Sequence, residues 1–328
     1  MTKVLCDLDL DEWMYKVPLK IRKSLESYFP KVKFIFEREP DSNQIIDCDI
    51  YWGNRLKVVS NKKIINQKIK WVHFGSVGYE RVLKSNLNLS NLIITNSHNT
   101  MDSGMVNHAL FLIFSLLRAG YGIEEIRKKK KLNRFSFEPY TKKILSIEKS
   151  NILIIGLGEI GSKLGKNLYS LGANVDGVKK NISEQKFKFI RKIFALNDLS
   201  KIISNYDMVI SLLPFDNSLK HIYDVHFFRS MKKNSFFINL GRGMHVNEND
   251  LIDALKLNLA AAAIDVFEKE PLEKNSKLYK INNLILSPHV AAYDPNYWEN
   301  QYSLFKNNLE CFLNSKFYKM KNIIKIYS

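Results

Sequence analysis

Three short stretches of the chain each set a polar group just beyond an apolar run: "INLGRGMHVNENDLIDAL", "AAIDVFEKEPL" and "LILSPHVAAY". The groups in question are Arg242, Glu270 and His289. If the apolar runs are parallel strands of one open sheet, their carboxyl ends share an edge, and ligands bind at that edge. An arginine, a carboxylate and an imidazole then converge on one cleft by topology alone. A guanidinium holds an anion, and an imidazole beside a carboxylate moves protons near neutral pH. Taken singly, each residue has a plainer use. Arg242 fits a surface ion pair, Glu268 competes with Glu270, and His289 fits a cap after a strand, as do His73, His98 and His108.

A second stretch, "NILIIGLGEIGSKLGKNLYSLGANVDGVKKN" from 151 to 181, supplies a different chemistry. Gly156, Gly158 and Gly161 form GxGxxG directly after an apolar strand and at the start of a helical segment, the context that a dinucleotide-binding turn requires. The first glycine permits the tight turn and the second admits a pyrophosphate to the backbone. The third lets helix and strand pack closely, and the helix N-terminus offers its amides to phosphate. About 20 residues further on, an NAD-binding unit usually carries an acid for the ribose hydroxyls. Here Lys179 stands at the strand tip with Lys180 beside it, and Asp176 lies too early in the strand to reach the ribose. Cations at that place match a 2′-phosphate, so the expected cofactor is NADP(H), with NAD(H) as the other possibility. Two surface lysines in a lysine-rich chain are the competing reading.

These residues need elements to position them. From 150 onward the apolar runs "NILIIG", "ANVDGV", "KIFAL", "MVISLL", "SFFINL", "AAAAIDV" and "NLILSPH" are short and separated by polar helical segments, the pattern of buried parallel strands. Before them, "KVLCDL", "KVKFIFE", "CDIYWG", "LKVVSN", "IKWVHFG" and "LIITNS" read as strands of another α/β unit. Between the two series, "MDSGMVNHALFLIFSLLRAGYGIEEIRKKKK" is the longest helical pattern, apolar on more than one face. After His289, "DPNYWENQYSLFKNNLECFLNS" reads as a long helix that returns to the first unit. The predicted fold is α/β with two Rossmann-like domains. The parallel-sheet nucleotide-binding domain (99–293) is inserted into a flavodoxin-like substrate domain (1–98 plus 294–328).

Together the motifs resemble the D-isomer-specific 2-hydroxyacid dehydrogenase family, whose signatures are a strand followed by RG, then DVFExEP, then PH. With the GLGEIG turn, the likeness covers roughly positions 100 to 293 in the family's order. The first hundred residues match loosely, mainly through "KWVHFGSVGYERV", which is similar to the family's Gly-rich substrate loop. The resemblance implies an NAD(P)H-dependent oxidoreductase acting on a small 2-oxo or D-2-hydroxy acid of the glyoxylate or hydroxypyruvate class. By it, Arg242 binds and polarises the 2-oxo acid, His289 is the proton donor and acceptor, and Glu270, the second acid of ExEP, orients His289 and raises its pKa. Amides around Ser76, Val77 and Gly78 grip the carboxylate, and Trp52 lines a pocket suited to a small substrate or is simply a core aromatic. Asp265 orients the nicotinamide amide. Further cofactor contacts fall on Met105, Glu159, Ile160, Leu213, Pro214, Ser218, Leu240 and Gly241. The family also implies a homodimer joined through the long helix. The chain departs from its pattern in Asn107, where an acid is usual, and in lacking a Trp before the nucleotide turn.

Composition narrows the alternatives. The N-terminal "MTKVLCDLDLDEWMYK" has no basic start or continuous apolar core, so no signal peptide is expected. The longest apolar stretch, "ALFLIFSLL", is too short for a bilayer, and neither membrane nor nucleic-acid partners are expected. The formal charge of +17 reflects Lys spread throughout, and its one dense run, "RKKKK" at 127–131, reads as a solvated helix end. Cys6, Cys48 and Cys311 form neither CxxC nor metal-ligand spacings, which fits the reducing cytoplasm and no metal. The alternative function is a dinucleotide-sensing, corepressor-like regulator of the same fold, and the intact Arg242, Glu270 and His289 favour the enzyme. Lys179→Asp is expected to shift the kcat/KM ratio from NADPH toward NADH by roughly tenfold or more, as for a charge-assisted hydrogen bond worth about 1.5–3 kcal/mol. An unchanged ratio assigns the lysine to the surface.

Overall fold

A computed structural model describes residues 1–8, 16–38, 40–54, 68–78, 91–180 and 187–326. The backbone divides into two compact units, Met1–Met101 with Tyr293–Ser328, and Asp102–Ala292. Both are α/β, built on sheets of parallel strands.

The first unit begins with β1 (Thr2–Asp7), β2 (Val32–Phe36), β3 (Ile50–Gly53), β4 (Trp71–His73) and β5 (Ile93–Thr95), parallel in the order β5-β4-β3-β1-β2. That is the flavodoxin-like order. The run "LKVVSN" (56–61), expected as a strand, and residues 79–82 of the Gly-rich loop lie outside the described residues.

The second unit contributes β6 (Asn151–Ile155), β7 (Asn174–Lys179), β8 (Ile193–Ala195), β9 (Met208–Ser211), β10 (Phe236–Asn239), β11 (Ala261–Ile264) and β12 (Leu284–Leu286). All run parallel, in the order β12-β11-β10-β9-β6-β7-β8. Alternate side chains on these strands point to opposite faces. Ile152, Ile154, Ile210 and Ile238 therefore join one core cluster, while Leu153, Ile155, Val209 and Phe237 join the other. Because both faces are covered, the strands are apolar on both sides, which explains their continuous apolar runs. The order reverses between β6 and β9, so the carboxyl ends there form the switch-point crevice of a doubly wound sheet.

The expected long helix is two helices, Asp102–Leu117 and Gly120–Lys128, meeting at a 69° bend. Ala119 sits between them with φ 50°, closing the first helix by donating its amide to Leu116 and starting the second by accepting from Gly122 and Ile123. Gly120 keeps the junction tight: a Cβ there would lie 3.1 Å from the Ser115 carbonyl oxygen. No single helix among the described residues is long and apolar enough to cross a membrane. In the "RKKKK" run, Arg127 and Lys129 pair with Glu124 and Glu125 of the same helix.

The chain then returns to the first unit through the helix Tyr297–Leu313 and β13 (Ile323–Ile326), which lies antiparallel beside β5. The helix brings Phe305, fully buried, onto Trp52 at 3.9 Å between ring centroids and onto Trp71 at 5.2 Å. Trp52 is thus a core aromatic, wholly enclosed and stacked within its own unit, and it presents no surface to a substrate. His73 is equally enclosed; burial pushes its pKa down to about 3, so the ring is neutral and its Nδ1 meets the Thr95 hydroxyl at 2.7 Å. All four tryptophans lie in residues 1–101 or 293–328. Phe305→Ala is expected to cost about 3–5 kcal/mol. It should move the urea transition followed by tryptophan emission to lower concentration, and an unmoved midpoint would refute this account of the core.

Candidate active site

The turn after β6 is built by its glycines. Gly156 has φ 102°, a left-handed conformation, and a Cβ on it would lie 2.8 Å from the Leu212 carbonyl. A Cβ on Gly161 would lie 2.5 Å from the Gly156 oxygen, so the helix Glu159–Ser170 packs directly on the turn. A Cβ on Gly158 would meet nothing within 4 Å, which leaves the backbone approachable just where the helix begins. Gly158 is the N-cap and carries no side chain to satisfy the first-turn N–H groups of Glu159, Ile160 and Gly161. Those donors and the positive end of the helix fit the pyrophosphate of a dinucleotide. Glu159 pairs with Lys163 at 3.4 Å, and Ile160 packs against the core.

At the tip of β7, Lys179 is the last strand residue and Lys180 follows it. Asp176, the earlier acid, is 4% exposed and fully engaged inside the unit. It accepts both guanidinium donors of Arg191, the Lys192 amide and the Tyr206 hydroxyl. Lys180 reaches across the sheet edge to Asp216 at 2.8 Å, a partner the sequence reading did not name. That contact holds the Asp216 carboxyl well below the usual range. Asp216 also accepts from the Ser218 hydroxyl and amide, so Ser218 is committed to the turn it sits in.

Three other strands lead to Arg242, Glu270 and His289. Arg242 follows β10, where its Nη1 donates to the Gly241 carbonyl at 2.8 Å and its own carbonyl accepts from Asn239. Glu270 follows β11, with Oε1 accepting from the Phe267 amide at 3.1 Å and Oε2 lying 2.7 Å from His289 Nδ1. Burial alone would raise the Glu270 pKa, but the bond to His289, the Phe267 amide and the Arg242 charge together carry it below the usual value. His289 moves the other way, because its bond to Glu270 outweighs the burial and the Arg242 charge that disfavour its cation. Glu268, the competing acid, is spent elsewhere: it bonds to Glu248 in both directions and contacts His221. The structure therefore brings Arg242, Glu270 and His289 together and separates Glu268 from them.

His289 adopts φ 55°, the left-handed region that a non-glycine side chain enters only under constraint. The constraint is Asp265, which is 1% exposed. Its carboxylate accepts from the Ser287 hydroxyl at 2.6 Å and from the Val290 and Ala291 amides at 3.0 and 2.9 Å, while its carbonyl accepts from the His289 amide. Its acceptors thus hold the loop that carries His289. Ser287 in turn contacts His108, a residue read from the sequence as an ordinary cap.

Met105 packs half-buried against the core on the helix Asp102–Leu117. Leu213 and Leu240 have buried side chains, and Gly241 sits so close to Leu213 that a Cβ would lie 2.6 Å from its carbonyl. These three offer backbone at the sheet edge, beside exposed Pro214. In the first unit, the Gly75 carbonyl accepts from Tyr297 and Gln301, that of Ser76 from the Ser97 amide, and that of Val77 from Asn96. Because a trans peptide points its N–H opposite to its C=O, the amides of Ser76, Val77 and Gly78 are turned away from those partners. Among the described residues, no group of His, Cys, Asp and Glu has the arrangement of a metal site.

Residues 110–291 match the family model described as D-isomer specific 2-hydroxyacid dehydrogenase, NAD binding domain. The chain is 36% identical over 151 residues to a probable 2-ketogluconate reductase of Dictyostelium discoideum, covering 45% of this chain and 44% of that protein. It is 36% identical over 143 residues to a glyoxylate/hydroxypyruvate reductase B of Cronobacter sakazakii, covering 42% of this chain and 43% of that protein. Both alignments span less than half of the relative's length. Among solved structures, a D-isomer specific 2-hydroxyacid dehydrogenase family protein from Aeromonas salmonicida superposes with a TM-score of 0.80 over 99% of both chains at 22% identity, a likeness of fold. The matched region takes in more than half of this chain, including the glycine turn and the Arg242, Glu270 and His289 cluster, and the chain belongs to the D-isomer specific 2-hydroxyacid dehydrogenase family.

Proposed function

We propose that the protein is a nicotinamide-dependent reductase of small 2-oxo acids, with glyoxylate and hydroxypyruvate as the substrate class and NADPH as the preferred cofactor. The observation that carries this reading is the 2.7 Å contact between His289 Nδ1 and Glu270 Oε2, with the Arg242 charge acting on both groups. A bound nicotinamide dinucleotide supplies the hydride to the ketone carbon. With Nδ1 committed to Glu270, His289 Nε2 is the nitrogen that delivers the proton to the ketone oxygen. Arg242 binds the 2-oxo acid and polarises its carbonyl, and the amides of Ser76, Val77 and Gly78 receive the carboxylate. Hydride, proton and ketone sum to a hydroxy acid, and the reverse path returns the proton to His289.

The glycine turn fits the pyrophosphate, and Lys179 and Lys180 supply the cations for a 2′-phosphate, Lys180 by exchanging its contact with Asp216 for the phosphate. The substrate class is supported by the names of the relatives, since Trp52 is enclosed and carries no argument about pocket size. A homodimer through the helix Asp102–Leu117 is supported by Phe111 and Phe114, which are 58% and 40% exposed on it.

Glyoxylate and hydroxypyruvate reduction, with NADPH and NADH at matched concentrations, tests the reading. Turnover with an NADPH preference is expected, and turnover with NADH alone discards the lysine argument. His289→Gln should lower kcat by roughly 10²–10⁴-fold, the usual contribution of a positioned proton donor. Unchanged turnover on every accepted 2-oxo acid would remove His289 from that role. The active form in reduction is the imidazolium, and Glu270 raises its pKa, so activity persists to higher pH than an ordinary histidine allows. Glu270→Gln is accordingly expected to move the alkaline limb of kcat/KM down toward 6.5. A limb that stays in place would separate Glu270 from the titration.

A further inference from the structure

We propose that His108 is a positioning residue for His289, acting through Ser287 and Asp265; the proposal rests on the assignment of His289 as proton donor. A serine hydroxyl has a single proton to give, and Ser287 gives it to Asp265 Oδ1 at 2.6 Å, the length of an O–H bond to a carboxylate. The Ser287 oxygen also lies 3.0 Å from His108 Nε2. Its own proton is already committed, so His108 must be the donor there, and the contact selects the tautomer with hydrogen on Nε2. His108 Nε2 lies 3.6 Å from Asp265 Oδ1 as well, so the ring aims its N–H at the serine and carboxylate together. Burial lowers the pKa of His108 while Asp265 opposes the change, which leaves a neutral donor near pH 7.

The relay ends on the catalytic loop. Oδ1 of Asp265 serves Ser287 and the Val290 amide, and Oδ2 serves the Ala291 amide, on either side of His289. The His289 amide itself donates to the carbonyls of Asp265 and Ser287. A residue held at φ 55° keeps that conformation when its surroundings over-determine it. His108 fixes the serine, the serine fixes the carboxylate, and the carboxylate fixes the loop. The charged groups acting on His289 are Glu270, Asp265 and Arg242. Loosening the loop weakens the first two, which favour the imidazolium.

The test uses the full chain and two readouts, kcat/KM for glyoxylate with NADPH and the NMR titration of the His289 ring, assigned by its loss in His289→Gln. His108→Leu removes the donor, and His108→Gln puts an amide N–H at similar reach. Ser287→Ala cuts the relay at its middle with little change of volume, and it decides the question if His108→Leu does not fold. The expected result is that His108→Leu and Ser287→Ala each lower the His289 midpoint by about one unit, a tenfold loss of kcat/KM at pH above both midpoints. The double variant should be no worse than either single one, and His108→Gln should keep the wild-type midpoint. The proposal is overturned if the midpoint stays in place in His108→Leu and Ser287→Ala, or if His108→Gln falls as far as His108→Leu. Should His289→Gln retain turnover, the proton-donor assignment fails instead, and the ring titration still decides the positioning.

Discussion

A carboxylate withdrawn from water must collect donors, and Asp265 collects them from the loop that carries His289. Its position is set by β11, whose last residue precedes it, and its reach across to the end of β12 is set by the parallel pairing of the two strands. The left-handed backbone of His289 and the contact of its ring with Glu270 are consequences of that anchor. Removing the carboxylate would leave the Val290 and Ala291 amides to find water, and His289 would keep its rarely adopted conformation on its amide bonds to the Asp265 and Ser287 carbonyls and its ring contact with Glu270 alone.

The sheet edge divides its tasks by strand. The half bearing β6 and β7 presents backbone amides and lysines, suited to phosphate. The half bearing β10, β11 and β12 presents Arg242, Glu270 and His289, suited to an organic anion and a proton. A parallel sheet places all these groups at one edge without any of them being neighbours in sequence. The electrostatics are internally opposed: Arg242 disfavours the cation on His289, and Glu270 overrides it. A site that holds an anion with one cation while keeping a second needs that carboxylate between them.

Much of this was legible in the sequence. The apolar runs after 150 read as strands because burial on both faces makes them continuous, and the glycine spacing announced the turn. Other features depend on contacts that periodicity does not encode. The break at Ala119 falls on a strong helix former, and only the fit of the next helix explains its positive φ. Trp52 is expected just after a strand, where a pocket residue would stand, yet it lies within β3 and its ring is covered by Phe305 from far along the chain. The pairing of Lys180 with Asp216 joins two different crossovers. His108 reads as a cap in the sequence because nothing there places it against Ser287, 179 residues further on.

The split of the first unit also bears on the order in which the protein is made. Strands β1 to β5 leave the ribosome first, but the helix that covers Trp52 and Trp71 and the strand that completes their sheet come last. Between them lies the whole of Asp102–Ala292, a continuous segment that needs nothing downstream for its own sheet. At about 5–20 residues per second, that segment takes on the order of ten seconds or more to synthesise. Throughout that interval Trp52 and Trp71 lack the ring of Phe305 that covers them in the folded unit, while the inserted segment already holds every strand of its own sheet.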